Sequence, residues 1–192
     1  MERKLLTLAV VCSVLAGLCA VPCAASDSAT LTVKGTVGSA CHLGDLSSSQ
    51  IDVGQLSNNP DGTLAAISGT PGTTITGSWC NTGSKITVVA SPLVAQGFAG
   101  VPPSGFTKAV NYTASASGWG SASASAPTLG NTSGAESGSH SGSQTLNDPE
   151  ANTIAVNLSS FSTPGSGDRL VADSDYEGTI TVTLATNAAG SP

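Results

Sequence analysis

The residues able to do chemistry are few, and their spacing does not suit them to it. Serine is abundant, and Gly138-Ser139-His140-Ser141-Gly142 has the outline of the glycine-flanked elbow that presents a nucleophilic serine. Its central position is His140, however, and the segment lies in Ser/Gly-rich sequence instead of between a strand and a helix. Asp173-Ser174-Asp175-Tyr176-Glu177-Gly178 sets carboxylates at alternate positions, like the opening of a calcium loop. The bidentate glutamate that closes such a loop would fall on Leu184, so an acidic turn before a strand is expected there. His42 and His140 are the only histidines, and no second cysteine pair or His-x-x-x-His spacing accompanies them. No catalytic residue, metal site or cofactor is therefore expected. Of the two tryptophans, Trp79 directly precedes Cys80 and is expected to pack in the core against a disulfide. Trp119 stands alone in polar sequence and is expected to make a surface contact, such as stacking on a sugar.

These side chains need a scaffold, and the amino terminus indicates where it is built. Arg3 and Lys4 precede an apolar run from Leu5 to Val21 that ends in small residues around Ala24 and Ala25, the pattern of a secretory signal peptide over residues 1–25. Gly17 and Pro22 interrupt the run and argue against a membrane anchor. Cleavage after Ala25 would leave residues 26–192 as one domain, with no membrane span and a net charge of about −7, which disfavours nucleic acid as a partner. Cys12, Cys19 and Cys23 would leave with the leader. Cys41 and Cys80 would remain, and an oxidising compartment is expected to join them. Closing that loop stabilises a fold by about 4 kcal/mol on chain-entropy grounds.

Period-2 alternation runs through the rest of the chain, and no stretch sustains a helical period. Leu31, Val33, Gly35 and Val37 share one face of the cleanest strand pattern near the start. Further strands are expected at residues 51–56, 73–79, 85–90, 110–114, 154–158 and 180–184, with turns at 58–62, 70–72 and 81–83. Residues 115–145 are dominated by Ser, Gly and Ala and are expected to form a long, mobile surface loop, and the tail from Ala185 to fray. Seven or so short strands and one disulfide point to an all-β, antiparallel sandwich, with a small barrel as the alternative.

A layout of several features then emerges: the leader, the glycine-containing strand Leu-Thr-Val-Lys-Gly-Thr-Val at 31–37, Cys41 soon after, Val53-Gly54-Gln55-Leu56, and Cys80 about forty residues beyond Cys41. With the closing Tyr176-Glu177-Gly178-Thr179-Ile180-Thr181-Val182-Thr183-Leu184, it resembles bacterial fimbrial subunits of the chaperone-usher type, including the spore coat protein U group. The resemblance covers about half of the chain after the leader. It implies an immunoglobulin-like sandwich that lacks one strand, completed by a segment from a neighbouring subunit, with a periplasmic chaperone and an outer-membrane usher as partners. Leu31, Val33, Gly35 and Val37 would be that donated strand or else the first strand of their own sandwich. Gly35 would mark a position where close approach excludes a side chain.

Two functions are thus expected from the sequence. One is a structural subunit of a cell-surface fibre or coat, passing through the periplasm to the surface and working in adhesion without catalysis. The other is a self-complete secreted sandwich that binds a surface ligand such as glycan through the Ser/Gly-rich segment and Trp119.

Overall fold

Alternating apolar and hydroxyl residues form strands here because each strand has one face to bury and one to solvate. A computed structural model describes residues 28–134 and 140–187. The expected signal peptide, residues 1–25, lies outside them. The strands are β1 (Cys41–His42), β2 (Asp45–Leu46), β3 (Gly72–Cys80), β4 (Ser84–Ala90), β5 (Leu93–Ala95), β6 (Phe106–Thr107) and β7 (Ala109–Trp119). They continue as β8 (Ala122–Pro127), β9 (His140–Leu146), β10 (Glu150–Ser162), β11 (Arg169–Leu170), β12 (Tyr176–Glu177) and β13 (Ile180–Thr186). No helix occurs among the described residues.

The larger sheet runs β1-β3-β10-β7-β5-β12, with β2 also on β3 and β8 also on β7; the smaller runs β13-β4-β9. Pairing is antiparallel apart from the two-residue parallel match of β6 with β11. Ile86, Val88 and Ala90 of β4 are buried and join Ile75, Val110, Ala114, Ile154 and Val156 of the larger sheet in one core. The described residues therefore form an all-β sandwich with one disulfide.

Residues 115–145 do not form the expected loop. They complete β7 and supply β8 and most of β9; residues 135–139 lie outside the described residues. The physical reason is that alanine suffices as a core residue when it recurs every second position: Ala114, Ala116, Ala122, Ala124 and Ala126 are all buried, while the intervening serines face outward. Small side chains also let main chains approach closely. A Cβ on Gly142 of β9 would strike the backbone of Ser125 in β8, so only glycine fits at that crossing. Trp119 ends β7 fully buried, and its indole N–H donates to Ser84 Oγ of β4 at 2.9 Å, joining the two sheets.

Other expectations also change. The strands expected at 73–79, 85–90, 110–114, 154–158 and 180–184 are present, several of them longer, and β13 continues through Thr186 where fraying was expected. Residues 51–56 form no ladder. The chain divides into two units at Thr36/Val37. In the first, residues 28–36 form no strand, although their pattern promised one, and Leu31 and Val33 are each 87% exposed. Alternation makes a segment fit for a sheet, but a strand forms only with a partner for its main-chain groups.

Replacing Ser84 with alanine leaves the Trp119 indole N–H buried without an acceptor. The expected cost is about 1–3 kcal/mol of unfolding free energy, measured by denaturant titration against the parent chain.

Candidate docking groove

The two neighbouring strands of the smaller sheet are covered unequally. On the inner face, Ile180, Val182 and Leu184 of β13 lie opposite Ala90, Val88 and Ile86 of β4. The β4 residues are buried, whereas all three of β13 are only partly covered. β13 pairs with β4 alone, so its other edge forms no ladder with any strand among the described residues. Beside it runs a groove of about 700 Å³. Its floor is the inner face of the larger sheet, with Ile75, Tyr112, Val156 and Leu158, and it is walled by Ile180 and Val182 on one side and by Leu43, Leu46, Ile51 and Val53 on the other.

The second wall is held by means other than a ladder. Ile51, Val53 and Leu56 pack against the core, but hydrogen bonding in residues 49–54 stays local. Ser48 Oγ donates to the Gln50 carbonyl at 2.6 Å, and the Gly54 N–H donates to Asp52 Oδ1 at 2.8 Å. This explains why residues 51–56 are not a strand although Ile51, Val53 and Leu56 are apolar: they meet the core without meeting a sheet edge. The same residues border a second cleft of about 640 Å³, whose other side is formed by residues 170–177.

The disulfide fixes the start of that wall. Cys41 and Cys80 are directly opposed in the β1–β3 ladder and are bonded across 39 positions of sequence, as expected. Asn81 follows and clamps the incoming chain: Asn81 Oδ1 accepts the Ala40 N–H at 2.7 Å, and Asn81 Nδ2 donates to the Gly38 carbonyl at 2.8 Å. The Gly44 N–H donates to the buried Ser78 Oγ at 3.1 Å, which continues the attachment into the groove wall.

The acidic turn fixes the opposite end. The Asp173 carboxylate accepts N–H groups from Asp175 at 3.0 Å, Gly97 at 2.7 Å and Phe98 at 3.0 Å. These bonds, that from Asp175 foremost, hold its carboxyl below the usual range. The Tyr176 hydroxyl donates to the Val171 carbonyl at 2.9 Å, and burial, reinforced by the Asp173 charge, pushes the phenol up to about 12. Asp173 thus ties the turn before β12 to the loop after β5. Among the described residues no group of three or more His, Cys, Asp or Glu side chains is placed to hold a metal ion.

Both tryptophans lie on the opposite side from expectation. Trp119 makes no surface contact because it is fully buried between the sheets, which removes the residue on which ligand binding through the Ser/Gly-rich segment was expected to rest. Trp79 does not pack against the disulfide: it is 42% exposed on the outer face, its ring 6.2 Å from that of His42. Neighbours in a strand face opposite ways, and Cys80 takes the inner face. His42 in β1 and His140 in β9 belong to different sheets. Leu31, Val33 and Val37 are exposed, and a Cβ on Gly35 would meet nothing within 4 Å. The groove had no signature in the sequence, since the alternation of β13 reads the same beside a neighbour or without one. No helix among the described residues is long and apolar enough to cross a membrane. No family model, curated protein or solved structure matches the chain.

Two outcomes are expected. Changing both Cys41 and Cys80 to serine lowers unfolding free energy by about 4 kcal/mol under oxidising conditions, read from denaturant midpoints. The stabilisation supplied by Asp173 is complete above its unfolded value of 3.8 and is lost as pH falls through its lower native value. Asp173→Asn should therefore lower the melting temperature at neutral pH and flatten its fall between about pH 5 and about pH 2, followed by thermal denaturation across that range.

Proposed function

We propose that this protein is a structural subunit of a cell-surface fibre or coat, built by strand donation and serving adhesion. The observation that carries this reading is the presence, in one chain, of a groove beside an unpaired strand edge and an exposed segment with the pattern of a strand. Leu31, Val33 and Val37 are 87%, 87% and 89% exposed, and Gly35 lies among them on the same alternate face. A fibre forms when the segment of one subunit enters the groove of the next, between β13 and residues 51–53. The sandwich is then immunoglobulin-like, with its missing strand supplied in trans.

The physics is β-augmentation: main-chain hydrogen bonds supply affinity and alternate side chains enter the groove. The lengths agree, since the seven residues of β13 extend over about 24 Å and residues 30–37 over about 27 Å. Fully burying one leucine and two valines yields roughly 1.5–3 kcal/mol each, before the costs of association and ordering. An open apolar groove also needs cover during export, the role of a periplasmic chaperone, and an outer-membrane usher would exchange that cover for the next subunit. The work is mechanical, without catalysis or cofactor.

The mature chain, expressed alone in an oxidising compartment, is expected to be unstable as a monomer and to form multimers. Deleting residues 26–37, or introducing Val182→Lys into the groove wall, should leave no multimers in size-exclusion chromatography. A soluble, cooperatively melting monomer of the intact mature chain would sink the proposal.

A further inference from the structure

The groove is apolar within and acidic at its border. Asp45 and Glu177 line the groove itself, and Asp52, Asp173 and Asp175 join Glu177 along the adjoining cleft, while no lysine or arginine lines either. The cations of the folded body are placed elsewhere. Lys85 is in β4 opposite Ala185 of β13, Lys108 Nζ donates to the Gly100 carbonyl at 3.4 Å, and Arg169 Nε donates to the Asp61 carbonyl at 3.0 Å. The described part of the exposed segment, residues 28–36, carries one charge, the lysine at position 34.

We infer that the groove selects the segment of a second copy of this chain through Lys34, whose ammonium meets the acidic border as the apolar residues enter. The inference rests on the strand-donation reading above and adds a specificity residue to it. Leu31, Val33, Gly35 and Val37 occupy one face of the segment and Thr32, Lys34 and Thr36 the other. On the groove wall, Asp52 is exposed between the partly buried Ile51 and Val53. A strand laid beside residues 51–53 with its apolar face inward therefore turns Lys34 to the outer side, where Asp52 is. The Thr-rich outer face of β13, with Thr181 and Thr183, offers no competing charge.

Such a pair at a solvated border contributes little to final affinity, but it raises the rate of encounter and rejects segments of the wrong charge. Its reach is set by salt, with a screening length of about 10 Å at 0.1 M. An acidic or neutral segment would meet the same apolar groove without that attraction.

The test uses freshly refolded mature chain and labelled peptides of residues 28–38, with Lys, Arg, Gln or Glu at position 34. Capture rates are followed by fluorescence anisotropy at low and high salt. The Lys and Arg peptides should be captured about three- to tenfold faster than the Lys34→Glu peptide at low salt, with the difference lost near 1 M salt. The acceptor change Asp52→Asn should narrow that difference. Equal low-salt rates for all four peptides would overturn the role of Lys34 and leave strand donation standing. No capture of the parent peptide at either salt would overturn both.

Discussion

A strand at the border of a sandwich still has an inner face to cover, and the organisation of this protein follows from the incomplete cover of β13. Its partner β4 pairs with a strand on each side and buries Ile86, Val88 and Ala90; β13 has one ladder partner among the described residues and leaves Ile180, Val182 and Leu184 partly covered. An unpaired edge above an apolar floor has both open main-chain groups and unburied side chains, the two things that a sheet offers another strand. The surrounding structure keeps this opening in shape. The disulfide and Asn81 hold one end of the groove wall, Asp173 fixes the turn at the other, and residues 51–53 line the side without filling it.

The opposite border of the smaller sheet is finished differently. There β9 meets β8 so closely that Gly142 has no room for a side chain, and the inner face beneath is made of alanine. Small residues limit the hydrophobic gain per position but permit close main-chain approach, and the fully buried Trp119 supplies bulk where the hairpin turns. Its bond to Ser84 satisfies the one polar atom of the indole and joins the two layers. One border is thus closed by the chain's own residues, while the edge of β13 at the other forms no second ladder among the described residues.

The legible parts of the fold were the long strands whose alternation uses large residues. The stretches 85–90, 154–158 and 180–184 announce themselves because large aliphatic residues recur every second position. The Ala/Ser alternation of 114–126 has the same period, but in sequence it resembles low-complexity loop, since alanine and serine differ little in size and polarity. Residues 31–37 and 51–56 failed in the opposite sense, as apolar-patterned stretches that join no ladder. The groove was less legible still, because it is a gap between strands distant in sequence.

By itself the sequence determined which residues share a face, since strand geometry makes every second side chain a neighbour, and it made Cys41 and Cys80 the expected pair, as the two cysteines beyond the apolar amino-terminal run. It also determined that Leu31, Val33, Gly35 and Val37 could act together. Only the tertiary structure decided which face lies inward, and so that Trp119 is core and Trp79 surface. It alone decided that the Ser/Ala-rich segment closes one border and that β13 is left open at the other. The physical reason is that periodicity is a local property of the chain, whereas burial and hydrogen-bond partnership depend on which distant strand arrives alongside.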